Sequence, residues 1–288
     1  MQVRFARAGI IVALLQISMF IHLATAAIAS EADETSSART APLLEALAID
    51  ELVDTFRDEG VFHAEELQTA MFPGRGEERW PKLVADIYDP ERMIQILGAE
   101  LEAATKPWHI DPLVDFFDSE LGRRILRLEI SARQAFLEPG VEEASGDHLD
   151  LLRNSDPERH ELLTEFAETN DLVEANVKTA INANMAFQMG LNNAGAFGPM
   201  REEGQMLREI WMQQDAIRSE TARWLMSYLS LAYQPLSDAE LQRYIDFSRS
   251  EAGHSLNHTL FVAFNELFQV ISYDLGEAAA QFLAGEEL

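Results

Sequence analysis

His254 and His258 stand four residues apart, and Glu251 precedes the first of them by three. In a helix that spacing puts all three on one face, where they could offer ligands to a zinc ion. A zincin would need glutamate directly after the first histidine, and Ser255 stands there instead. On a helical wheel the pair lies opposite Leu256, Leu260 and Leu267, so the expectation is two histidines facing solvent. Glu251, His254 and His258 are carried forward as the candidate metal set, lacking the further ligands that selective binding requires.

Three other groupings carry chemical potential. Asp111, Asp115 and Asp118 share a helix face and could attract calcium, although calcium takes several oxygens at loop spacing, and capping with solvation is the simpler reading. Trp108-His109 precedes a helix start; such a tryptophan either marks a binding groove or closes the edge of a core, and the core is expected here. Asn176, Asn182, Asn184, Asn192 and Asn193 lie near Met185, Met189 and Met200, either an adaptable surface or an imperfect helix end with local side-chain bonds; the helix end is expected. There is no G-x-S-x-G elbow, phosphate loop, H-E-x-x-H or dinucleotide fingerprint, and with 49 acidic residues no catalytic carboxylate pair can be nominated. No catalytic residue and no cofactor is expected.

The elements that must position these residues read as helices. No stretch keeps a strict apolar–polar alternation for the length of a strand. Asp89-Pro90, Asp111-Pro112 and Asp156-Pro157 combine a side chain that accepts from a first turn with a residue that lacks the N–H. Ser237 to Glu240 is a capping box flanked by Leu236 and Leu241. Apolar residues recur at three- and four-residue steps through Ile94–Ala104, Leu121–Ala135, Leu207–Leu231 and Leu256–Ile271. The glycines from Gly190 to Gly204 predict a loop ahead of the Leu207–Leu231 stripe.

One phrase occurs twice. "LVDFFDSELGRRIL" from Leu113 and "ELQRYIDFSRSEAGHSL" from Glu240 align at an offset of 131: Asp115-Phe116 on Asp246-Phe247, Ser119-Glu120 on Ser250-Glu251, Gly122 on Gly253, Ile125 on Leu256. Each phrase predicts a helix, a serine that caps a fresh turn, an acidic first turn favoured by the helix dipole, and a glycine where backbone comes close. A weaker echo pairs "ELVD" at 51–54 with "DLVE" at 171–174, which requires an insertion of about eleven residues between the landmarks. The expected fold is therefore all-α, a helical bundle of two degenerate repeats, residues 42–150 and 151–288, packed on each other because neither can bury its stripe alone. The helix carrying Phe261, Phe264 and Phe268 should be central.

The second copy, with its core at 205–283, resembles the bacterial domain of unknown function 2059 through Glu240-Leu241, Tyr244, Phe247, Ser250, Gly253 and the helix that runs through Phe268. The first copy matches more loosely over 83–137. That family usually has proline after the serine, where this chain has Glu120 and Glu251, and often tyrosine at the place of Ser248. The resemblance implies an exported helical bacterial protein and supplies no activity or site residues.

Residues 1–26 have the form of a cleaved signal peptide: Arg4 and Arg7, an apolar run from Ile10 to Leu23, then Ala24-Thr25-Ala26. A membrane anchor would carry basic residues behind the apolar run, and Glu31, Asp33 and Glu34 follow instead. Residues 27–41 read as a flexible lead-in. The mature chain loses two of 22 basic residues and none of its 49 acidic ones, leaving a net charge of −29, which disfavours nucleic acid and anionic membrane surfaces. With no cysteine, thiol catalysis and thiolate metal sites are excluded. The expected role is that of a non-enzymatic periplasmic protein engaging an envelope protein, a small apolar ligand or a second copy of itself. The alternatives are an envelope hydrolase using carboxylate or histidine side chains, and a carrier with an apolar cavity between its units.

Overall fold

A computed structural model describes residues 33–196 and 201–283, with side chains from Thr40 onward. The signal-peptide reading of residues 1–26 lies outside the described residues. Every regular element described is an α-helix, and the all-α bundle is shown. In chain order the helices are α1 (Asp33–Ala46), α2 (Ile49–Met71), α3 (Trp80–Ile87), α4 (Pro90–Ala104), α5 (Pro107–Phe117), α6 (Glu120–Phe136), α7 (Val141–Ser155), α8 (Pro157–Thr169), α9 (Leu172–Asn193), α10 (Glu203–Trp211), α11 (Gln214–Ala232), α12 (Asp238–Arg249) and α13 (Glu251–Leu283).

Contacts repeat across the chain, and so do helix lengths except in the last pair, where α6 has 17 residues and α13 has 33. Helices α1 to α6 correspond in order to α8 to α13, with α7 between the two sets. Within each set the same pairs touch: first with second, first with fourth, first with fifth, second with third, second with fourth, fifth with sixth. Ala48 and Asp171, the only non-glycine residues described with positive φ (51° and 50°), precede α2 and α9 respectively. The duplication thus spans six helices on each side. Its upstream offset is 123, set by Ala48 and Asp171, so the ELVD/DLVE echo is three residues out of step. It rises to 131 because α11 is four residues longer than α4 and the turn after it three longer, following a one-residue shift upstream.

The repeated phrase is built alike in both places. Ser119 has φ −65° and ψ 161°, and Ser250 has φ −64° and ψ 157°. Ser119 Oγ accepts from Gly122 N at 3.1 Å and donates to Phe116 O at 2.6 Å; Ser250 Oγ accepts from Gly253 N at 3.0 Å and donates to Phe247 O at 2.6 Å. A Cβ added at Gly122 would overlap the Phe116 carbonyl, and one at Gly253 the Phe247 carbonyl. The copies also meet each other at matching residues: the rings of Phe116 and Phe247 stack with centroids 3.6 Å apart and planes 6° apart. The last helix of each unit packs on the fourth helix of the other, α6 on α11 and α13 on α4. Residues that touch their own counterparts mark a pseudo-twofold axis through this stack.

Several boundaries differ from expectation. The chain is helical from Asp33, inside the stretch read as a flexible lead-in, and Thr40 and Leu43 are buried. Asp89 and Asp156 cap as expected, but Pro112 lies inside α5, which starts at Pro107 and so uses that proline in its first turn. The stripe from Leu207 to Leu231 is two helices divided at Met212-Gln213. Gly190 does not open a loop: α9 continues to Asn193, and Gly190 and Gly276 face each other where α9 crosses α13. A Cβ on Gly190 would overlap the Tyr273 carbonyl, and one on Gly276 the Phe187 carbonyl, so the close crossing requires glycine on both sides. Helix α13 is central, burying Phe261, Phe264, Phe268 and Phe282.

These constraints give opposite expectations for two substitutions. Gly276→Ala forces the crossing apart and should cost about 2–3 kcal/mol, whereas Ala48→Gly relieves a left-handed residue and should add about 1 kcal/mol. Urea unfolding of the purified chain measures both.

Candidate functional site

A cavity of about 180 Å³ lies where the two units meet. Its wall uses equivalent positions of both. Leu126, Glu129, Ile130 and Arg133 of α6 face it from one unit, and Asn257, Leu260, Phe261 and Phe264, each offset by 131, face it from α13. Leu47 and Ile49 at the α1–α2 junction are matched by Asn170 and Leu172 at the α8–α9 junction, offset by 123. The cavity therefore sits on the pseudo-twofold axis. Helix α11 completes it through Trp224, Leu225, Tyr228 and Leu229, with Tyr233 just past its end and Tyr244 from α12.

The two halves of the wall have diverged. Glu129 and Arg133, four residues apart on α6 and so on one helix face, stand where α13 has Leu260 and Phe264. Arg133 is buried and donates through Nη1 to both carboxylate oxygens of buried Glu59, at 3.1 and 2.9 Å. Its guanidinium lies 4.6 Å from the Phe56 ring centre and 5.8 Å from that of Tyr228. Tyr233 donates to Glu129 Oε1 at 2.6 Å, Tyr244 approaches the same oxygen at 3.4 Å, and Tyr228 donates to the Glu129 backbone carbonyl at 3.0 Å. Both side-chain contacts use Oε1, so Glu129 Oε2 accepts no hydrogen bond among the described residues.

The cluster holds two carboxylates against one guanidinium, with Arg133 bound to Glu59. Glu129 is half-buried and lines the cavity. Burial raises its pKa, against the lowering effect of the two tyrosine hydroxyls and of Arg133. Burial likewise pushes Tyr228, Tyr233 and Tyr244 above the usual phenol range, keeping them neutral donors. The site can hold a charge or a proton on Glu129 in apolar surroundings. Its wall carries no histidine, serine, threonine or lysine beside that carboxylate.

The residues singled out in the sequence lie elsewhere. His254 and His258 are exposed, as expected, and burial, His254 and Lys178 together lower the pKa of His258. Glu251 contacts His109 of the other unit at 3.3 Å, and the described residues contain no group of three ligands able to hold a metal ion. Asp111, Asp115 and Asp118 are exposed, and Asp118 pairs with Arg123 at 3.0 Å. Trp108, expected to close the core, is 67% exposed with Lys106 over its ring, and His109 is the buried member of the pair. The asparagines do not form a surface. Asn182 bonds Asn265 at 2.8 Å between α9 and α13, Asn192 holds the Arg201 backbone, and Asn176 reaches the cavity wall. Glu129 and Arg133 were missed among many charges. Overlaying the copies at 131 finds them, as polar residues opposite apolar counterparts.

No family model, curated protein or solved structure matches the chain.

The raised titration of Glu129 has a signed consequence. Its folded pKa lies above the unfolded value, so the folded state favours the protonated form. Wild-type stability should fall relative to Glu129→Gln as pH rises through the unfolded value, levelling off above the folded one. Urea unfolding of both proteins between pH 4 and pH 8 measures the difference, and parallel curves would contradict the assignment.

Proposed function

We propose that the protein is a non-enzymatic, exported binding protein of the bacterial envelope that carries a small molecule in the axial cavity. The observation that carries this reading is a partly open, mostly apolar space with one unbonded carboxylate oxygen, Glu129 Oε2, on its wall. Such a space with few polar groups is what ligand recognition uses. The wall's lack of a partner nucleophile or base favours holding over hydrolysis. The pattern of the first thirty residues supports export, and among the described residues no helix is long and apolar enough to cross a membrane.

Filling the cavity tests the proposal. The full chain and its Leu260→Trp variant are purified from their native host and extracted, and the extracts compared by mass spectrometry. A low-mass compound should accompany the wild type at near one-to-one ratio and be absent from the variant, which should melt within a few degrees of the wild type. Extracts that match, with the variant folded, would contradict the reading.

A further inference from the structure

The polar atoms of the cavity wall are unevenly satisfied. The amide nitrogens of Asn170, Asn176 and Asn257 donate to the backbone carbonyls of Phe166, Leu172 and Asn170, at 2.9, 2.6 and 2.9 Å. The hydroxyls of Tyr228 and Tyr233 donate to Glu129. The guanidinium of Arg133 is held by Glu59. These donors are committed to protein acceptors, while acceptors remain without donors. Glu129 Oε2 has none, and neither has the buried side-chain oxygen of Asn176. A buried acceptor such as the Asn176 oxygen ordinarily has a partner.

Charge points the same way. With Arg133 neutralised by Glu59, the carboxylate of Glu129 is in excess. The rings of Phe166, Trp224, Tyr228, Tyr244, Phe261 and Phe264 surround the space, and aromatic faces attract cations. An anion would meet Glu129 with no uncommitted guanidinium to offset it. The opposite wall, with Leu260, Phe261 and Phe264 from α13, suits an apolar body. A cavity of about 180 Å³ somewhat exceeds the ~150 Å³ that admits a benzene ring in an apolar core, leaving space for a short arm.

From this asymmetry we propose that the cavity selects a small organic cation, its ammonium group donating to Glu129 Oε2 and its apolar body packed against α13. The inference rests on the carrier reading above and specifies its ligand class. The groups that face Glu129 are Arg133 on α6, Tyr228 on α11, Tyr233 just after α11 and Tyr244 on α12, with Glu59 on α2 behind Arg133. Burial keeps the three phenols neutral, so Glu129 is the acid in the cavity whose charge a change of pH switches, with its pKa raised by burial.

The test is calorimetric titration of the full chain with three probes of similar size: benzylammonium, the neutral ethylbenzene and the anion benzoate. Benzylammonium should bind at least about tenfold tighter than ethylbenzene, in keeping with a charge-assisted hydrogen bond, and benzoate should not bind. Glu129→Gln should erase that preference, so that benzylammonium and ethylbenzene bind the variant alike. In the wild type, benzylammonium affinity should fall as acid protonates Glu129, while that of ethylbenzene stays flat; this keeps the proposal testable if Glu129→Gln misfolds. Equal or tighter binding of ethylbenzene or benzoate, an unaltered preference in Glu129→Gln, or a flat benzylammonium pH profile would overturn the cation assignment and leave the carrier reading standing. Binding of none of the three, or undiminished binding by Leu260→Trp, would overturn both.

Discussion

The structure depends on one contact, the stacking of Phe116 on Phe247. The two rings are the same position of a duplicated phrase, and each completes the surface of the other's helix turn. Only a self-complementary arrangement brings equivalent residues face to face. The polar contacts beside the stack keep its symmetry only approximately, the second partner lying one helical turn on from the position symmetry would give. His109 of the first unit reaches Glu251 of the second, and Glu240, which stands at the place of His109, reaches back to Arg124 at 2.7 Å. Once this clasp is set, the last helix of each unit must lie on the fourth helix of the other, and neither unit closes its core alone.

The clasp also places the cavity. The cavity lies on the same axis as the stack, and its wall uses equivalent positions of both units. After duplication each side can change independently. The second unit filled its share of the wall with Leu260 and Phe264. The first holds Glu129 and Arg133 at those positions, with Glu59 and the tyrosines arranged around them. A buried charge cluster of this kind is a poor way to gain stability, since apolar side chains of similar volume usually do as well or better; Leu260 shows that the scaffold accepts one. Stability alone therefore does not account for the polar half of the wall.

What the sequence made legible follows how local each signal is. The capping box at Ser237 and the caps at Asp89 and Asp156 depend on three or four neighbouring residues and were readable without tertiary structure. The repeated phrase was readable because each copy contains a turn that demands serine and glycine at fixed places. The rest of the duplication was not, since its upstream helices carry only apolar spacing and a left-handed residue, Ala48 or Asp171, whose backbone no residue type announces. Pro112 and Gly190 misled for a different reason. Proline suits a helix start and glycine a break on local grounds, but α5 starts five residues earlier at another proline, and Gly190 is needed for a crossing with a helix over eighty residues away. Glu129 is one acid among many until its counterpart, Leu260, is placed beside it.

The central claim, that the two descendants of one helical unit are joined through matching aromatic residues, is tested most directly by a double-mutant cycle on Phe116 and Phe247. Leucine is introduced at each position alone and at both together, with unfolding free energies measured in urea. The account predicts that the two losses are not additive, with a coupling of about 0.5–1.5 kcal/mol between the rings. Losses that simply add would mean the rings contribute independently, and the clasp would not be what holds the units together.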